Sequence, residues 1–218
     1  MRTYSILRTK EDEKLSELQL LGRTIDLGGH KGSSYFSILA SKADRPIEVA
    51  NFDTMQPGTH KTESGADHVF DFEKPFPLQN ESFDNVLCIN VMEHIFNYQN
   101  LVSESFRILK PGGHMFVSVP FFFNIHGSPN DYFRYTRAAL ERIMSDAGFV
   151  DITIHELGDG PCSVLFQTFG GSVPTMPLKM GLKRIAIRTD RILEKVSSRY
   201  ASIKERVPLG YFVSMRKG

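Results

Sequence analysis

Residues Thr24–Tyr35, TIDLGGHKGSSY, bring a carboxylate, two adjacent glycines and a helix-capping serine into one short stretch. Gly28 and Gly29 let backbone approach a ligand closely and accept positive φ. The unpaired N–H groups of the helix opening at Ser33 face such a ligand. Asp26 sits where the preceding apolar run ends, so its carboxylate either orders the turn or receives a cationic group. The same stretch also reads as an ordinary strand-to-helix turn, because a lone glycine-rich turn is weak evidence. A second set lies in Pro120–Thr136, PFFFNIHGSPNDYFRYT. There His126 has the side chain that titrates near neutral pH.

The elements that must position these groups alternate along the chain. Leu15 and Leu18, with Leu20 or Leu21, predict a helix over 10–22 that Gly22 stops. Strands are expected at 23–27, 47–51, 67–72, 83–90, 114–119 and 151–157. Helices are expected at 33–43, 91–109 and 136–147, with Ser33 and Thr136 as caps. Segments 54–64 and 73–82, rich in polar residues and proline, read as loops, and Pro111-Gly112-Gly113 as a turn. Helices over 161–169 and 178–199 follow, separated by GGSVPTMP, and then a last strand at 209–215. Such alternation implies an α/β doubly wound, mostly parallel sheet. Ligands of these sheets bind at the carboxyl ends of the strands. That places a site in the loops after Leu27, Asn51, Phe70, Ile89 and Val119.

A chain of 218 residues is enough for one domain with a proper core. We read 1–218 as that domain: a core of about 23–157 plus a strand at 208–216, with a helical insertion at about 160–206. The apolar run Met115–Phe123 is too short to span a membrane, and residues 1–20 carry no apolar signal core, so a cytoplasmic location is expected. Cys88 and Cys162 have no metal-type spacing, which argues for a reducing compartment and no metal site. Residues 172–218 carry 11 Lys/Arg against 3 Asp/Glu. This excess marks either an anionic partner or a solvated helix face.

Taken in order, DLGGHKG, Asp53 at the end of the second strand, Asp71-Phe72 after the third, FDNVLCINVMEHI and ESFRILKPGGHMFVSVP resemble the class I S-adenosylmethionine-dependent methyltransferases over about Arg23–Gly148. The resemblance implies a Rossmann-like seven-stranded sheet whose last strand enters antiparallel between the fifth and sixth. It implies S-adenosyl-L-methionine as cofactor. Asp53 would then accept hydrogen bonds from both ribose hydroxyls, as an ionised carboxylate can. Asp71 would take the adenine amino group with the backbone of Phe72 beside it. Gly28 and Gly29 would approach the methionine part, and Asp26 and Asn90 would face the cofactor. Asp84 is structural in this family, and Glu93-His94 is read as a helix-start and packing feature. His30 stands where the family usually has glycine. That departure sustains a second reading, a catalytically weak or inactive cofactor-binding scaffold of a biosynthetic complex.

On the acceptor side, His126 is the expected base, needed if the acceptor loses a proton during attack. Phe122, Asp131, Tyr132 and Arg134 either hold a hydroxylated or anionic acceptor, or Asp131 and Arg134 pair to brace the loop. HGSPNDYFRYT is similar to a branch tied to sugar and cell-envelope glycan pathways, so a small-molecule or glycan acceptor methylated at oxygen is expected. No Asn-Pro-Pro-Tyr-type motif follows the fourth strand, which argues against nucleic acid. Lys179, Lys183, Arg184, Arg188 and Arg191 interleave with apolar residues in 178–199. That helix suits peripheral membrane contact, a homodimer contact or a solvated lid.

Overall fold

The computed structural model describes residues 5–52, 65–127 and 129–218. Seven strands form one sheet: β1 (Thr24–Leu27), β2 (Glu48–Asn51), β3 (His68–Val69), β4 (Phe83–Ile89), β5 (Leu109–Pro120), β6 (Phe149–Leu157) and β7 (Gly210–Lys217). Their order is β3-β2-β1-β4-β5-β7-β6. Strands β1 to β5 are parallel, and β7 runs antiparallel to both β5 and β6. This is the expected topology, and strand order reverses between β1 and β4. The carboxyl ends of those two strands therefore border the crevice where ligands of such sheets bind.

Helices cover both faces. On one side lie α3 (Tyr98–Ile108) and α4 (Arg137–Asp146). Leu101, Val102, Ile108, Leu140 and Met144 pack there against Val86, Met115 and Val213. On the other lie α1 (Ile6–Ser16), α2 (Ser34–Ala40), α5 (Pro161–Phe169) and α6 (Met176–Val196), followed by α7 (Ser198–Lys204). Leu7, Leu15, Leu39, Phe166 and Ala186 close over Leu87, Phe116 and Phe212 on this side. The insertion between β6 and β7 thus packs beside α1 on the same face. Gln167 of α5 accepts from the backbone N–H of Ile6 at 2.9 Å, and Lys10 of α1 lies 3.1 Å from Asp159.

Several boundaries differ from the sequence reading. The first helix begins at Ile6, where the Ser5 hydroxyl accepts from the Arg8 N–H, and it ends at Ser16 rather than Gly22. The predicted helix over 91–109 is two pieces, a 3-10 turn at Met92–His94 and then α3, because Ile95 is extended and Asn97 caps a new start. The Pro-Gly-Gly segment does not precede the fifth strand but bulges within it. Phe83 pairs with Leu109 and Asn85 with His114, so Lys110–Gly113 loops out, with Gly112 at φ +76°. The third strand has two residues, not six. The last insertion helix breaks at Ser197, which is extended and caps α7. Caps at Ser33 and Thr136 and the helix over 161–169 are as expected. The segment 54–64, read as a loop, lies outside the described residues; no helix joins β3 to β4, and among the described residues none is long and apolar enough to cross a membrane.

Candidate active site

At the carboxyl ends of β1, β2 and β4 lies a cleft of ≈ 250 Å³ lined by Arg8, Gly28, Asn51, Phe52, Asn90, Val91, His94 and His126. The turn after β1 is built by close approach. Gly28 has φ +77°, and a Cβ there would lie 2.4 Å from Val91; a Cβ on Gly29 would lie 2.2 Å from the Asp26 carboxylate. No residue with a side chain fits either position without displacing its neighbour. The Gly28 N–H donates to the Ala50 carbonyl, and Asn51 Nδ2 donates to the Gly29 carbonyl. Both pin the turn to the end of β2.

Asp26 lies beneath this turn, sealed from solvent, rather than on the cleft wall. Its Oδ2 accepts from the Tyr35 hydroxyl at 2.9 Å, and its Oδ1 has no partner. Burial raises its pKa to about 7, against the lowering effect of the Tyr35 bond. His30 is exposed and folds back on its own turn, its Nδ1 accepting from the Gly32 N–H at 2.9 Å. It does not line the cleft.

Asn90 ends β4 with φ +54°, and its Nδ2 donates 2.8 Å to Glu11 Oε1. Glu11 is buried and also accepts from the Ser118 hydroxyl, while Arg8 pairs with its other oxygen at 3.2 Å. Helix α1 thus reaches across the sheet to the cleft, and sequence reasoning missed it. The available signal was a carboxylate on an apolar stripe: Leu7, Glu11 and Leu15 fall at i, i+4 and i+8, and all three are buried.

The 3-10 turn places His94 on the cleft wall and Glu93 buried beside it. Glu93 is fully buried, and neither carboxylate oxygen has a hydrogen-bond partner. Burial first, then the nearby Glu11 and Asp131 charges, raise it to about 8. Its Oε1 lies 3.6 Å from His94 Nε2 and 3.9 Å from His126 Nε2. Burial lowers the His94 pKa, and the neighbouring His126 lowers it further.

The predicted residues separate accordingly. Gly28, Asn90 and His126 line one cleft, and the backbone of Gly29 is tied to it. Asp53 lies outside the described residues. Asp71 is not drawn in: its Oδ1 accepts from the Glu73 N–H and Lys74 lies 3.2 Å away. The Phe72 ring is in the core against Phe52, Phe70 and Phe76, and its carbonyl accepts from Asn100 Nδ2. Asp131 and Arg134 form a two-bond pair at 2.5 and 2.6 Å that braces the loop, and Asp131 also accepts from the His126 N–H. Burial acts to raise Asp131, but the Arg134 bonds and charge outweigh it and hold the group at about 2. Phe122 packs edge-on against Phe121, and Tyr132 against Phe96, both partly exposed and neither in the cleft wall. Asp84 accepts from the Arg23 N–H and the Lys110 ammonium, the structural tie expected of it.

A methyltransferase-domain family model matches residues 6–154. Among curated proteins, a ubiquinone biosynthesis O-methyltransferase of Vibrio atlanticus is 30% identical over 74 residues, 34% of this chain and 29% of its own length. A probable S-adenosylmethionine-dependent methyltransferase of Mycolicibacterium smegmatis is 34% identical over 105 residues, 44% of this chain and 40% of its own. Each match therefore takes in less than half of the relative. Among solved structures, phosphoethanolamine N-methyltransferase 2 of Haemonchus contortus with S-adenosyl-L-methionine aligns at TM-score 0.58 and 16% identity over 96% of this chain and 52% of that one. A possible histamine N-methyltransferase of Thermotoga maritima aligns at 0.58 and 15% over 99% and 90%. These two show the shared fold. With the family model covering the turn, the cleft, the first five strands and part of the sixth, the chain belongs to the class I S-adenosyl-L-methionine-dependent methyltransferase-domain family.

Proposed function

We propose that this protein transfers the methyl group of S-adenosyl-L-methionine to an oxygen of a small-molecule or glycan acceptor. The observation that carries the reading is that His126 lines the same cleft as Gly28 and Asn90. The acceptor loop thereby meets the cofactor turn. Methyl transfer from a sulfonium is a direct displacement, so the site must align nucleophile, methyl and sulfur and exclude water. Gly28 and Gly29 give the methionine part a close backbone surface. Arg8, on the cleft wall, is the cation for its carboxylate, and Asp26 under the turn favours its ammonium. Asp53, two residues past β2 in the chain, takes the ribose hydroxyls in this reading. His126 Nδ1 lies 3.2 Å from the Asn124 carbonyl, so in the neutral ring Nε2 is the nitrogen that accepts the acceptor's proton. Oxygen as the methylated atom is supported by the name of the Vibrio relative. The exposed face of α6 is the surface for a peripheral membrane or second-copy contact.

The test is methyl transfer from labelled S-adenosyl-L-methionine to a panel of phenolic, sugar and amine acceptors, beside calorimetric titration with S-adenosylhomocysteine. Turnover on hydroxyl acceptors, reduced about 100-fold by His126→Ala, is expected. Cofactor binding without turnover on any acceptor class would favour the scaffold reading. Methylation of amines alone would overturn the oxygen assignment.

A further inference from the structure

Glu93, His94 and His126 converge on one point although the last comes from a different loop. Three features of that convergence belong together. The Nδ1 of His94 lies 2.5 Å from the Asn130 carbonyl and the Nδ1 of His126 lies 3.2 Å from the Asn124 carbonyl. A carbonyl only accepts, so in its neutral form each ring carries its proton on Nδ1 and presents a lone pair on Nε2. Both Nε2 atoms face Glu93 Oε1, at 3.6 and 3.9 Å. Glu93 is fully buried and neither of its oxygens has a hydrogen-bond donor. Its backbone is fixed, because the N–H groups of Tyr132 and Phe133 both donate to its carbonyl. With Glu93 ionised, three acceptors point at one another with nothing positive between them.

We propose that Glu93, His94 and His126 bind a divalent first-row transition cation, with its remaining positions open to the cleft. Two imidazoles and one carboxylate are the donor set of zinc and of non-haem iron, manganese or cobalt rather than of magnesium or calcium. Donor atoms held about 2.0–2.2 Å from one ion lie about 3–3.5 Å apart, so a small inward rotation of the rings closes the set. The carbonyls on the two Nδ1 atoms supply the outer hydrogen bonds that orient metal-binding histidines. The expectation of no metal rested on cysteine spacing, which does not bear on this donor set.

For the reaction, the inference rests on the methyl-transfer reading and refines His126 from base to ligand when the cation is present. An acceptor hydroxyl bound there becomes more acidic and gives its proton to solvent. The oxygen lone pair then forms the bond to the methyl carbon, and the C–S electrons return to sulfur, leaving a thioether.

The test is titration of the whole chain with Co²⁺, followed by visible absorption and by metal counting after dialysis. Expected is one Co²⁺ per chain, displaced by Zn²⁺, with affinity reduced at least about tenfold in both Glu93→Gln and His126→Ala. His126 is in a half-exposed loop, so that variant reports on the site even if Glu93→Gln misfolds. No saturable Co²⁺ binding, or binding unchanged in the variants, would overturn the proposal and leave a proton on Glu93 as the bridging charge. Titration with S-adenosylhomocysteine separates the two claims. Co²⁺ bound without it leaves the cation site standing and sinks methyl transfer; the reverse sinks only the cation site.

Discussion

Asp190, at the centre of the helical insertion, and Glu93, under the mouth of the cleft, are both sealed from solvent. Their surroundings could hardly differ more. Asp190 accepts from the Cys162 and Ser163 backbone N–H groups and from the hydroxyls of Ser163 and Tyr200, at 2.5 to 2.9 Å. It caps the start of α5 and joins three helices, and every lone pair it offers has a donor. Glu93 has none. Burying a carboxylate without partners is costly, so a fold that satisfies one and leaves the other bare is using them differently. Asp190 holds the helices of the insertion to one another; on the proposed reading Glu93 is kept for the cation.

The largest loss of stability at neutral pH should come from replacing the satisfied carboxylate. Asp190→Ala strands several buried donors and is expected to cost about 3 kcal/mol or more. That corresponds to a Tm drop of roughly 6–12 °C for a chain of this size, read by thermal unfolding. Glu93→Gln should leave Tm nearly unchanged while weakening cation binding at least about tenfold. An equal Tm loss in the two variants would erase the contrast.

Asp26 stands between the extremes, with one partner, Tyr35, and one bare oxygen. Its folded pKa is raised to about 7, above the ordinary 3.8. The native state therefore holds its proton more tightly than the unfolded chain. Stability is lost as pH rises from about 4 to 7, and the loss is complete above 7, with a total of about 4 kcal/mol. Asp26→Asn should flatten that part of the pH–stability curve; an unaltered slope in denaturant titrations at pH 4.5 and 8 would show that the carboxyl titrates normally. Cofactor binding, which brings an ammonium, should release up to one proton near pH 6, visible as calorimetric heats that depend on the buffer.

Smaller still, Arg8→Ala is expected to weaken S-adenosylhomocysteine binding about tenfold, or about 1.4 kcal/mol, without changing Tm by more than a few degrees. The smallest change is on α6, where Arg184, Ile185, Arg188, Arg191, Ile192, Lys195 and Val196 are all exposed. Arg184→Glu with Arg188→Glu should alter stability by less than about 0.5 kcal/mol. Co-sedimentation with anionic vesicles would then show whether this face meets a membrane: loss of vesicle binding supports it, and absence of binding in the parent chain ends it.

The sheet was legible because its strands are short apolar runs between glycine and proline, and because caps such as Ser33 and Thr136 obey local rules. The glycine turn was legible for the same reason. What could not be read depends on contacts distant in sequence. Glu93-His94 reads as the start of a helix, since nothing local shows that Ile95 becomes extended, that His94 lines the cleft and that Glu93 lies buried beside it. Glu11 was hidden because the first helix was started four residues late, which removed Leu7 from its stripe. Asp131 and Arg134 read from the sequence as fit to hold a ligand or to pair and brace the loop, and the paired bonds between them depend on a loop geometry that the sequence does not display.

Strand β7 lies between β5 and β6, although some fifty residues of helix separate it from β6 in the chain. During synthesis at roughly 5–20 residues per second, β6 must wait several seconds without a neighbour on the side β7 will occupy. Over that interval β5 also presents an open edge, Val117 and Val119 included, to whatever other extended segment is near. The insertion's own rapid, local helix formation shortens the search for the missing strand by folding most of the intervening chain before β7 emerges.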